Sequence, residues 1–138
     1  MNPIEEILNQ YPNLPHKFLV RFALYCANDV RHLITYKLSI QALDTVQLWL
    51  DDKATKEDLI RAKDNAFYPA VYFAAYAAFC GDSPASYAAS CAASAANAAN
   101  AASKTEDASF FNKKLDEYLT KLLEMIEDLD PIEKMLYL

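Results

Sequence analysis

The chain has 138 residues, enough to bury one hydrophobic core, and its single glycine is too few for a β-rich fold with tight turns or for a phosphate-cradling loop. Its net charge of −6 disfavours nucleic-acid binding, which needs clustered Lys and Arg, and leaves a protein partner as the better fit. Cys26, Cys80 and Cys91 have no paired spacing, and with His16 and His32 they make no recognised ligand set, so reduced thiols are expected and no metal or cofactor.

Glu5 and Glu6 stand where a signal peptide would carry positive charge, and no apolar run follows them. Residues 83–103 are uncharged, but alanine, serine and asparagine are too weakly apolar to drive insertion into a bilayer. A cytoplasmic protein without membrane contact is expected.

Asn2 and Pro3 read as an N-cap and first turn, opening a short helix with Ile4, Ile7 and Leu8 on one side. Pro12 and Pro15 then make an extended connector. From Pro15 to about His32 the spacing predicts a helix burying Phe18, Leu19, Phe22, Cys26 and Val30. Its other side carries Arg21, Tyr25, Asn28, Asp29 and His32, the densest set of polar groups in the chain. That side reads as a solvated face with Tyr25 bridging Arg21 and Asp29, or as a ligand or partner patch.

A break over residues 33–37 precedes a helix from about Leu38 to Asp51, on which Trp49 is expected to anchor the core against short alanine side chains. Thr55 then caps a long helix with Glu57 and Asp58 in its first turn, and Pro69 should bend that helix from within. Tyr68, Tyr72 and Tyr76 are four apart and Phe79 continues the line. Such a ladder is core, an oligomer contact, or a platform for a nucleotide ring.

Residues 66–103 predict two alanine helices joined near Gly81 and Pro84, close-packed because a methyl side chain holds nothing away. At about 100° per residue, Ser86, Ser90, Ser94, Asn97, Asn100 and Lys104 fall on one arc of the second helix, and Ala88, Cys91, Ala92, Ala95, Ala98, Ala99 and Ala102 on the other. The polar arc is either a set of structural hydrogen bonds or the floor of a small polar pocket that Tyr72 and Tyr76 would share with Asn97 and Asn100.

Thr105 is a candidate cap for an amphipathic helix with Phe111, Leu115, Tyr118, Leu119, Leu122, Ile126 and Leu129 on one side. Pro131 stops it, and residues 132–138 form an apolar tail that must dock on the body or on another chain. From Lys104 onward there are 5 Lys and 9 Asp or Glu, a net of −4, so the acidity is concentrated at the end. This surface is an ordinary solvated face or a mimic of DNA phosphates. The whole reads as a single all-α domain, a bundle of about five to six helices around the alanine hairpin, with residues 1–14 and 130–138 as its terminal pieces.

The runs LVRFALYCANDVRHL, ALDTVQLWLDDKATKEDLIRAK, YFAAYAAF and YAASCAASAANAANAAS resemble the alanine-rich immunity-protein family of bacteria and phages over roughly residues 15–104. Phe22, Ala23, Asp44, Trp49, Leu50, Thr55 and Leu59 match in order ahead of the hairpin. The resemblance implies an all-α fold and a non-enzymatic role, neutralising a toxin or a defence effector; it carries no binding residues over. Extra tyrosine and asparagine, a short link after the second helix and a longer acidic final helix depart from the family pattern.

Three functions compete on this sequence. The first is an inhibitor of a partner protein, either an immunity protein or a phage protein directed against a host defence. The second sequesters a nucleotide-type ligand between Tyr68, Tyr72, Tyr76, Asn97 and Asn100, and the third is catalysis by His32 with Asp29 or Cys26.

Overall fold

The computed structural model describes residues 3–82, 85–103 and 110–138, with side chains for 3–81, 86–103 and 113–138. Asn2, Pro84, Lys104 and Thr105 lie outside the described residues, as does the side chain of Phe111. Among the described residues there are eight α-helices, two 3-10 turns and no strand. The helices are α1 (Pro3–Gln10), α2 (His16–Asp29), α3 (Lys37–Leu50), α4 (Lys56–Asn65), α5 (Pro69–Phe79), α6 (Ala85–Ser103), α7 (Phe110–Glu127) and α8 (Pro131–Tyr137).

The helix count exceeds the expected five or six partly because Pro69 does not bend a helix from within. It starts one. Proline has no N–H to give a preceding turn and disfavours α backbone in the residue before it, so α4 ends at Asn65, Tyr68 is extended (φ −90°, ψ 123°) and Pro69 opens α5. The C-terminal tail is also helical, fixed by a capping box in which the Asp130 carboxylate accepts from Glu133 N at 2.8 Å and Glu133 accepts from Asp130 N at 3.2 Å. A second box, Thr55 with Asp58, starts α4; the hydrogen bonds from Thr55 hold the Asp58 carboxyl below its usual range.

Helices α2, α5 and α6 pack against one another in all three pairings, and α5 against α6 is the most extensive contact in the chain. Helices α3 and α4 cover α5, while α1 and α7 cover α6. The division of labour follows side-chain size. Ala70, Ala74, Ala75, Ala77 and Ala78 of α5 and Ala88, Ala92, Ala95, Ala96 and Ala99 of α6 are buried, so the two backbones share the centre. The bulk around them comes from Ile4, Phe18, Phe22, Leu43, Leu59, Tyr118 and Leu122.

Three expectations about the core take a more specific form. Trp49 packs against the edge of the core, half-buried, and stands edge-on to His16, with ring centroids 5.3 Å apart and Lys17 Nζ 5.9 Å from its ring. Four helices already enclose α5, leaving no room for an indole at the methyl seam. The polar arc of α6 does not stay together: Asn97 is exposed and Asn100 is buried, because α6 is covered from several sides. Finally, of the two resting places expected for the tail, the body does not cover it: Ile132, Met135 and Leu136 are 70%, 86% and 64% exposed, which leaves another chain as the surface they would meet.

Candidate protein-binding furrow

Helix α2 buries Phe18, Phe22 and Cys26, and a residue three positions on from the last two comes round to the side that faces α7. Tyr25 projects there. Its ring meets Tyr118 of α7 edge-on (centroids 6.5 Å apart, planes at 90°), and Lys121 Nζ sits 5.0 Å from the ring centroid. Tyr25 is thus a rigid, 38% exposed aromatic held by two neighbours of one helix.

Behind it lies an ion cluster that the spacing of α2 alone did not reveal. Tyr118, fully buried, donates its hydroxyl to Asp29 Oδ2 at 2.8 Å, and Lys114 Nζ lies 3.0 Å from the same oxygen and 3.2 Å from Glu117 Oε2. Asp29 is therefore paired with α7, where the sequence had Tyr25 bridging it to Arg21. Burial, then the bond to Asp29, pushes the Tyr118 hydroxyl far above its ordinary range. Burial and then the Asp29 charge also raise Tyr25, so its exposed hydroxyl stays a donor. For Lys114 burial pulls the other way, but hydrogen bonds to Asp29 and Glu117 outweigh it and the ammonium is held more firmly than usual.

Three adjoining hollows run along α7 from here. One of about 580 Å³ is lined by Tyr25, Lys113, Asp116, Glu117, Thr120, Lys121 and Glu124. The next, about 520 Å³, lies among Arg21, Leu24, Tyr25, Asn28, Gln47, Leu50, Asp51, Lys121 and Met125. A third of about 210 Å³ is bounded by Phe18, Arg21, Met125, Asp128, Leu129 and Glu133. The first two share Tyr25 and Lys121 and the last two share Arg21 and Met125, so they form one open furrow between α2, α3 and α7 that ends at α8. Its walls carry six carboxylates, Asp51, Asp116, Glu117, Glu124, Asp128 and Glu133, against the three bases Arg21, Lys113 and Lys121. Leu24, Leu50 and Met125 line the middle hollow, and the carboxylates gather toward the two ends, Asp116, Glu117 and Glu124 at one and Asp128 and Glu133 at the other.

The nine candidate residues do not converge. Arg21 and Tyr25 line the furrow and Asp29 supports it from beneath. His32 is exposed in the 3-10 turn Arg31–Leu33 beyond the end of α2. Asp29 is committed to Tyr118 and Lys114, and Cys26 is fully buried with its thiol pushed well up by burial and then by Asp29, so neither is poised to work with His32. Tyr68 caps α5, while Tyr72 and Tyr76 contact each other (5.8 Å) and Tyr76 contacts Phe79 (6.2 Å) on the side of α5 that meets Lys63 of α4. Of the two asparagines expected to line a pocket with Tyr72 and Tyr76, Asn100 is buried and Asn97 exposed.

Lys114, Lys121 and Met125 were missed. The available signal was Tyr118, a tyrosine in the apolar stripe of α7: a buried hydroxyl needs a partner on the facing helix, and Asp29 was the acid on a mainly apolar α2. No protein-family model, curated protein or solved structure matches the chain. No helix among the described residues is long and apolar enough to cross a membrane.

Proposed function

We propose that this chain is a non-enzymatic inhibitor that neutralises a partner protein, as a toxin immunity protein or a phage protein against a host defence does, by holding a basic segment of that partner in the furrow along α7. One observation carries the reading: Tyr25, exposed and held by Tyr118 and Lys121, stands where two hollows of a furrow meet whose walls carry six carboxylates against three bases. Rigid aromatics that lose little entropy on binding are the usual anchors of protein interfaces, and acidic walls steer and orient a basic partner. The resemblance of residues 15–104 to immunity proteins points to the same class.

The test is co-purification of a tagged chain from its producing cell, in parallel with Tyr25→Ala and Met125→Glu. One stoichiometric partner should be recovered with the parent chain, be released by added salt, and be lost with both variants while far-UV circular dichroism stays unchanged. Equal recovery with the variants would remove the furrow from the function.

A further inference from the structure

We propose that Cys80 and Cys91 form a dithiol that a small-molecule disulfide oxidises to an intramolecular disulfide, a reversible covalent staple between the turn that follows α5 and the first half of α6.

Cys80 begins the 3-10 turn that follows α5 directly, and Cys91 lies on α6. The two helices meet along buried alanines, which permit the close backbone approach that a disulfide requires. The turn that carries Cys80 packs against α6, and the two thiols are near enough for each to perturb the other's titration. Cys80 is buried at 5% exposure, whereas Cys91 is half-buried and offers an oxidant a way in. Cys26 sits fully buried on α2, next to Asp29, and is outside the pair.

The chemistry is a two-step exchange that balances without any further reagent. The Cys91 thiolate attacks one sulfur of the oxidant RSSR, forming a mixed disulfide and releasing RS⁻, which takes up the Cys91 proton. The Cys80 thiolate then attacks the Cys91 sulfur, the Cys91–SR bond breaks, and a second RS⁻ leaves with the Cys80 proton. Two thiols are oxidised to one disulfide and RSSR is reduced to two RSH. Burial holds both sulfurs in the thiol form, with Cys91 pushed up to about 12, so the exchange is slow where no oxidant accumulates. Lys63 and a hydrogen bond from Tyr76 favour charge on Cys80, the sulfur that must act second.

The experiment treats the full chain with excess oxidised glutathione at pH 8.5, quenches with acid, alkylates and maps peptides without reduction. The expected product is a monomer lighter by two hydrogens, with a peptide joining Cys80 to Cys91 and Cys26 alkylated only after unfolding. For a loop of this size its melting temperature should rise by about 5–10 °C and return on reduction. Cys80→Ser should stop at a glutathione adduct on Cys91, Cys91→Ser should leave Cys80 unmodified, and Cys26→Ser should behave as the parent. A parent chain that keeps its helicity yet shows no such link, links Cys26, or cross-links between molecules overturns the proposal. So does a linked monomer that melts lower than the reduced chain.

Discussion

The imidazole of His16 donates from Nε2 to the carbonyl oxygen of Ala77 at 2.7 Å, so the first residue of α2 satisfies a carbonyl in the last turn of α5. Because a carbonyl only accepts, the proton is on Nε2. The ring is wedged between Trp49, edge-on at 5.3 Å, and Gly81, where an added Cβ would stand 3.1 Å from His16 Cε1. His16→Ala removes the hydrogen bond and the ring contact, and should cost about 1–2 kcal/mol in urea unfolding while shifting Trp49 emission to the red. Gly81→Ala should destabilise the parent, yet be nearly neutral in the His16→Ala background, because its Cβ would then meet no ring. Additive effects would mean that the glycine answers to something other than this histidine.

The Tyr118–Asp29 bond gives a pH signature. Tyr118 and Tyr25 are both raised above the ordinary tyrosine range, so each binds its proton more tightly folded than unfolded. Their contribution is complete below the unfolded value of about 10 and is lost as pH rises above it. Cys26, Cys80 and Cys91 are raised in the same sense from an unfolded value of about 8.5, so stability by chemical denaturation should be level near pH 7, begin to fall above about pH 8.5 and fall further above about pH 10. Tyr118→Phe should lower the plateau by about 1 kcal/mol and make the alkaline fall shallower; an unchanged alkaline limb would place the titration elsewhere.

At the alanine seam volume is the constraint. Ala95 of α6 is completely buried, and leucine there has no space to enter. Ala95→Leu should cost about 1–3 kcal/mol or more, whereas Ser90→Leu, on an exposed position of the same helix, should stay within about 0.5 kcal/mol. Equal thermal shifts for the two would deny that α6 is packed at contact distance.

Helix α3 ends in a Schellman motif that uses an aspartate where glycine is usual. Asp52 has φ 60°, its N–H reaches Trp49 O at 3.0 Å, and Lys53 N–H reaches Leu48 O at 2.7 Å. Asp52→Gly relieves the left-handed backbone but gives up the exposed ion pair with Lys17, which is worth little. The net should be a gain of about 0.5–1 kcal/mol, seen as a higher urea midpoint with an unchanged slope.

Period and capping made most of the helices legible. The apolar spacing of Phe18, Phe22 and Cys26 placed α2, Thr55 with Asp58 placed the start of α4, and the alanines placed the central hairpin. What a single helical wheel cannot show is which sides the neighbours cover. It put Asn97 and Asn100 together, though only one of them faces solvent, and it could not show that Trp49 stands at the edge of the core beside His16. Pro69 carried the right information and was read in the wrong register, as a kink instead of a first turn. The furrow was half visible: Arg21 and Tyr25 lie on one helix, but their partners Lys121 and Met125 lie about a hundred positions away, where intrahelical spacing says nothing.

A centre made of methyl groups has a thermodynamic consequence of its own. Alanine has no rotamers to freeze, so bringing α5 and α6 together orders backbone and almost nothing else, and the entropy cost of building the middle of this protein is unusually low. The same economy leaves nothing to repack. Ala74, Ala75, Ala92, Ala95, Ala96 and Ala99 should form a strip in a saturation library that accepts only glycine or serine, and the amides along it should be the last to exchange with deuterium.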